Sequence, residues 1–142
     1  MRLISAVGFE ELVDWQRSGE VLDGVFAAIG RTPLVRLSSI PNSRGISTDV
    51  LVKIEFTNPT GSLKDRIYYE MITKAISRGN LKPGMEILEA STGNAGISCT
   101  FVGTALGYRV TIVMPAGMSR ERMKIIQAYG GKIITTPGGE SD

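Results

Sequence analysis

The sequence predicts an α/β fold: an open, doubly wound, mostly parallel sheet with helices on both faces. Short apolar runs bounded by turn residues alternate with segments of ten or more residues whose apolar positions recur at helical spacing. Glycines at Gly79, Gly107 and Gly130–Gly131 close the helical segments. Strands joined through helices imply right-handed crossovers, and hence parallel pairing with helical cover on each face.

In chain order, residues 1–28 read as an N-terminal helical segment, with apolar helical spacing from Phe9 to Arg17, ahead of a main body over 29–142. Pro33 to Leu37 reads as a short strand and Pro41 to Thr48 as a polar loop. A strand from Asp49 to Phe56 leads to a helix from Ser62 to about Arg78, with Ile67, Met71, Ile72, Ala75 and Ile76 as its apolar stripe. Glu86 to Ala90 is the next strand. A helix from about Asn94 to Leu106, a strand from Arg109 to Met114, a helix from Ser119 to Tyr129 and a strand from Lys132 to Thr136 complete a β-α-β-α-β-α-β order.

At 142 residues, with 42% hydrophobic and 21% charged, the chain suits one globular core. Sixteen Lys+Arg against 14 Asp+Glu leave a formal charge of +2 with no basic block, which argues against nucleic acid as a partner. The opening Met1–Gly8 lacks the apolar core of a signal peptide and no window reaches membrane-spanning length, so a cytoplasmic protein without a membrane partner is expected. The single cysteine, Cys99, lies in an apolar run and reads as a core residue rather than a nucleophile. There is no histidine, which excludes Ser-His-Asp and Cys-His catalysis within these residues and removes the commonest zinc ligand; no metal site is expected.

In open α/β sheets ligands bind beyond the carboxyl ends of the strands, where loops feed helix N-termini. Two loops occupy that place. Asn58-Pro59-Thr60-Gly61-Ser62-Leu63-Lys64-Asp65-Arg66 puts a lysine in the first turn of a helix, with Ser62 and Asp65 spaced like a capping box. Ser91-Thr92-Gly93-Asn94-Ala95-Gly96 gathers hydroxyls, an amide and two flexible glycines that suit a carboxylate or phosphate, although capping alone also selects these residues. A helix N-terminus disfavours an ammonium by only ~0.3–1 kcal/mol, less than the 1.36 kcal/mol of one pKa unit. Desolvation shifts a lysine by up to roughly 3–5 units, so a nucleophilic Lys64 requires a covered cleft.

Four blocks in order, Ile29–Leu37, Asn58–Arg66, Ser91–Gly96 and Met114–Ser119, resemble those of the cysteine synthase and cystathionine β-synthase family of pyridoxal-phosphate enzymes, which have the tryptophan synthase β-subunit fold. The resemblance runs from about Ile29 to Pro137. It implies that Lys64 forms the Schiff base with pyridoxal phosphate and later moves the substrate's α-proton. It implies that Asn94 contacts the cofactor, and that Ser91, Thr92, Gly93, Asn94 and Ala95 grip the amino-acid carboxylate. The Gly30–Leu34 signature reads as structural. The implied reaction is loss of a β-leaving group from an O-activated serine and addition of a sulfur donor to give cysteine, or elimination to pyruvate and ammonia, as in serine and threonine dehydratases.

Ala95 departs from the threonine of many cysteine synthases. Family members are also longer, and their C-terminal part supplies the glycine-rich phosphate loop, so this chain is expected to be the N-terminal part of a two-domain fold. Losing three or four phosphate contacts of roughly 1.5–3 kcal/mol each weakens cofactor binding by several powers of ten. A homodimer or a complementary C-terminal polypeptide is the expected partner for strand edges and apolar faces left uncovered. An inactive remnant, or a non-catalytic module pairing with a full-length relative, are the other readings.

Overall fold

A computed structural model describes residues 21–138; the helix expected from Phe9 to Arg17 lies outside the described residues. The elements are β1 (Leu34–Leu37), α1 (Ser39–Ser43), β2 (Val50–Lys53), α2 (Lys64–Ser77), β3 (Glu86–Ala90), α3 (Asn94–Ala105), β4 (Arg109–Pro115), α4 (Arg120–Ala128) and β5 (Lys132–Thr136). Strands β3, β4 and β5 form a parallel sheet in that order, with Ile87 opposite Val110, and Ile112 opposite Ile133. The glycine stops work as expected: Gly79, Gly107 and Gly130 have φ of 72°, 84° and 87°, the left-handed conformation that ends a helix.

The expected first strand of the parallel sheet is elsewhere. β2 pairs antiparallel with β1 in a separate two-stranded ribbon, Leu34 opposite Lys53 and Leu37 opposite Val50. An apolar run carries no label for its partner, and the strand nearest in sequence captured it. β2 also stops at Lys53: the Ile54 N–H still donates to the Pro33 carbonyl, but Pro33 has no N–H to return the bond, and the chain then winds through a 3₁₀ turn over Glu55–Thr57. The expected loop at Pro41 begins inside α1, where proline is tolerated in a first turn and Pro41 itself is buried.

The core is built around α3, whose residues Gly96 to Gly103 are all buried. It touches α2, α4, β3 and β4. A Cβ at Gly103 would lie 2.6 Å from Val110 Cγ2, and one at Gly96 3.1 Å from Ile112 Cγ2, so small residues let the helix lie close on β4. Gly96 therefore serves close packing rather than loop flexibility. On α2 the buried positions are Tyr68 and Ile72, with Ile76 packed beside them, whereas Ile67 and Met71 are exposed. The face is rotated from the expected stripe because Tyr68, not Ile67, turns towards α3. Phe26 packs tilted against Tyr69 and edge-on against Phe101, with centroids 5.2 and 6.2 Å away.

Helices cover one face of the parallel sheet, not both, among the described residues. The strand order follows the chain without reversal, so right-handed crossovers put α3 and α4 on the same side. Alternation shows it directly: Ile112 and Met114 are buried, while Leu88 on the opposite face is 68% exposed and Ile134 44%. No helix among the described residues is long and apolar enough to cross a membrane.

Candidate active site

The lysine loop begins where the ribbon ends. Gly61 N–H donates to the Asn58 carbonyl at 2.8 Å, closing a turn in which Gly61 has φ 78°. Ser62 then caps α2, its Oγ accepting from Lys64 N–H at 3.0 Å. Asp65 does not complete the expected reciprocal box with Ser62. Aspartate is one methylene shorter than the glutamate of a capping box. Its Oδ2 accepts instead from Thr60 N–H at 2.8 Å, and its Oδ1 from the Thr60 hydroxyl and, at 2.6 Å, from Ser98 on α3. Lys64 is half-buried, and its Nζ has no hydrogen-bond or ion-pair partner among the described residues.

A second network ties this loop to the Gly30–Leu34 signature. Arg66 forks onto Glu55, Nε to Oε2 at 2.8 Å and Nη2 to Oε1 at 3.1 Å, and also donates to Thr32 Oγ1 at 3.0 Å. Thr32 donates to Glu55 Oε1 at 2.6 Å, Asn58 Nδ2 to Oε2 at 2.9 Å, and Gly30 N–H to Asn58 Oδ1 at 2.9 Å. Lys53 Nζ reaches Thr32 Oγ1 at 2.5 Å. Arg66, Thr32 and Asn58 hold the Glu55 carboxyl down at about 2. Gly30 and Thr32 of the signature thus belong to this network. A Cβ at Gly30, whose φ is 88°, would meet Arg66 Nη1 at 2.9 Å.

The second loop follows β3. Ser91 N–H donates to the Val113 carbonyl at 3.0 Å, and Ser91 Oγ accepts from the N–H groups of Gly93 at 3.2 Å and Gly96 at 2.8 Å. Ser91, two residues before the N-cap position Gly93, therefore satisfies one N–H of the first turn of α3 through its Oγ, with its single O–H left as a donor. Arg122 on α4 donates to the Thr92 carbonyl at 3.1 Å and lies 3.7 Å from where a Gly93 Cβ would stand. The N–H groups of Asn94 and Ala95, in the first turn of α3, have no partner among the described residues. Thr92 and Asn94 are exposed; Ser91, Gly93 and Ala95 are half-buried.

The two loops meet through Asp65 and Ser98. Asp65 adjoins Lys64, and Ser98 is four residues beyond Asn94, about 6 Å along the helix axis, so the N-termini of α2 and α3 lie at the same end of the fold. The pyridoxal-phosphate dependent enzyme model matches residues 25–142. The chain belongs to this pyridoxal-phosphate-dependent family. It is 46% identical over 118 residues to a cystathionine beta-synthase from Apis mellifera, covering 83% of this chain and 23% of that protein. It is 43% identical over 120 residues to a cysteine synthase from Staphylococcus aureus, covering 84% and 38%. The crystal structure of a cysteine synthase from Entamoeba histolytica superposes with a TM-score of 0.80 at 42% identity, over 84% of this chain and 36% of that one. The chain thus spans between about a quarter and two fifths of the length of these relatives.

The residues present fit the family cofactor in two respects. Among the described residues a lysine amine stands without a competing partner, and unfilled N–H donors stand at the adjacent helix N-terminus. Cys99 takes no part: it is 1% exposed, and burial, with the nearby Glu89 charge, pushes its thiol up to about 12. Burial first, and then the Glu89 carboxylate as hydrogen-bond partner and charge, raise the Tyr68 phenol. Sequence reasoning missed Thr60, Asp65 and Ser98 as a set, and Arg122. Ser98 had a legible signal, a hydroxyl inside an otherwise apolar helix, which needs a polar partner when buried.

Proposed function

We propose that the protein carrying this chain catalyses pyridoxal-phosphate-dependent β-replacement on an O-activated serine with a sulfur donor, making cysteine. The observation that carries this reading is Lys64 Nζ, partner-free among the described residues, held through Asp65–Ser98 beside a helix start whose Asn94 and Ala95 N–H groups are unfilled. Lys64 is the attachment point for the cofactor and, once displaced by the substrate amine, the base that takes the α-proton at Nζ. The cofactor, when bound, supplies the electron sink that makes this proton removable.

The Asn94 and Ala95 N–H groups, the Ser91 hydroxyl and the positive end of the α3 dipole bind the substrate carboxylate. Thr92 and Gly93 shape the loop, and the Asn94 amide turns to the cofactor. No histidine lies in this chain, so among its residues proton removal and return both pass through the Lys64 amine. The loop that would hold the cofactor phosphate and the cover that would desolvate Lys64 come from a further part of the protein, a complementary polypeptide or a second copy of the chain. Cytoplasmic residence is part of the same reading.

A second reading, β-elimination, is favoured by Ala95, which offers no hydroxyl to the bound substrate. The two separate when the complete protein is given O-acetylserine with and without sulfide. Cysteine formed with sulfide, and little pyruvate, is expected. Pyruvate with no cysteine overturns the synthase reading in favour of elimination.

A further inference from the structure

We infer that Asp65 is a positioning residue: its buried carboxylate fixes the register between the lysine loop and the helix that carries the carboxylate-binding loop. The inference rests on the function proposed above for what that register serves. The linkage itself stands on geometry. Asp65 is wholly buried, at 0% exposure, and so is Ser98. Oδ1 accepts from Ser98 Oγ at 2.6 Å and from the Thr60 hydroxyl, and Oδ2 accepts from Thr60 N–H at 2.8 Å. The two hydroxyl oxygens lie 3.1 Å apart. Each hydroxyl carries one proton and each directs it at Oδ1, so the triangle closes on the carboxylate as the shared acceptor.

Three separate pieces of chain meet at that one group: the turn before Lys64, the first turn of α2 and the second turn of α3. Ser98–Asp65 is the one side-chain hydrogen bond between α2 and α3 among the described residues. The rest of their contact is apolar, built from Tyr68, Ile72, Phe101 and Val102. Apolar contact is non-directional and tolerates small sliding, whereas charge-assisted hydrogen bonds fix a distance. For packing alone, a hydrophobic side chain in place of a buried carboxylate is often neutral or better. The carboxylate adds register. Lys64 is its neighbour in the chain, and Asn94 is one helical turn from Ser98, so any slip at Asp65 separates the amine from the carboxylate donors. A misplacement of about 1 Å costs on the order of 10²-fold in rate.

The test uses Ser98→Ala and Thr60→Val, each removing one hydroxyl, with Thr60→Ser as the variant that restores it. The first readout is amide hydrogen exchange of the full chain without cofactor, comparing residues 58–66, 91–98 and 120–136. Either substitution is expected to speed exchange in both loops at once and leave 120–136 unchanged, and Thr60→Ser is expected to return both to wild type. Exchange that rises only in the substituted segment, or equally everywhere, overturns the coupling.

The second readout is turnover in the complete protein. There kcat is expected to fall roughly 10–100-fold with KM changed less than about threefold. A fall in KM affinity with kcat intact, or no change at all, overturns the positioning role. If the wild-type protein neither turns over nor attaches pyridoxal phosphate while the exchange pattern appears, the coupling stands and the proposed function alone fails.

Discussion

The two loops of the candidate site are held in opposite ways. The lysine loop is bound on every side: Asn58, Thr60, Asp65 and Arg66 engage Gly30, Thr32, Glu55 and Ser98. The Ser91–Ala95 loop is held by the Ser91 Oγ and by Arg122, and it keeps the Asn94 and Ala95 N–H groups unfilled among the described residues. In the proposed function Lys64 takes a proton from one atom and returns it, which needs a fixed position, and over-determined hydrogen bonding of its loop would supply that. A loop that must receive an anion needs donors without partners, and unfilled helix-start N–H groups supply those.

The sharpest break of this contrast is Lys64→Ala. Because Nζ makes no bond among the described residues, stability is expected to change by less than about 0.5 kcal/mol in thermal denaturation. Turnover of the complete protein is expected to fall by at least roughly 10²–10⁴-fold, the worth of a positioned acid–base group.

Gly103→Ala breaks the platform under both loops. Its Cβ would stand 2.6 Å from Val110 Cγ2 and 3.0 Å from Ile87 Cδ1, an overpacking expected to cost about 1–3 kcal/mol in urea denaturation. Arg122→Ala loosens only the second loop. One hydrogen bond of ~0.5–1.5 kcal/mol is lost, so KM for the amino acid is expected to rise about 2–10-fold with kcat held.

The smallest effect separates the first loop's frame by pH. The Glu55 carboxyl titrates at about 2 in the fold against an ordinary 4.5, so the folded state binds this proton more weakly than the unfolded one. Its contribution is complete above pH 4.5 and is lost as pH falls through about 2. Glu55→Gln is expected to flatten that part of the stability–pH curve, and an unchanged curve would remove Glu55 from the frame.

Local signals are legible in the sequence and meetings between distant segments are not. Glu86–Ala90 and Lys132–Thr136 stand where alternation placed them, and α3 begins at Asn94 and ends one residue before the expected Leu106. Strand periodicity and glycine stops act over a few residues, so one sequence carries them. The pairing of β2 with β1, the helices on a single sheet face and the rotation of α2 towards Tyr68 depend on which surfaces meet. The site divides in the same way. Lys64 and the Ser91–Ala95 turn were visible as helix starts after strands, and the Ser91 Oγ found Gly96 N–H. Asp65 pointed to Ser62 by spacing alone, yet found Thr60 and Ser98, the latter 33 residues away.

The proposed function turns on Lys64 Nζ as the atom that takes the cofactor. The direct measurement is borohydride reduction of the complete protein with pyridoxal phosphate, followed by peptide mass mapping. A reduced phosphopyridoxyl link on Lys64, and on no other lysine at equal yield, is the result expected. A link spread over Lys53, Lys74 and Lys124 with Lys64 unmodified would contradict it.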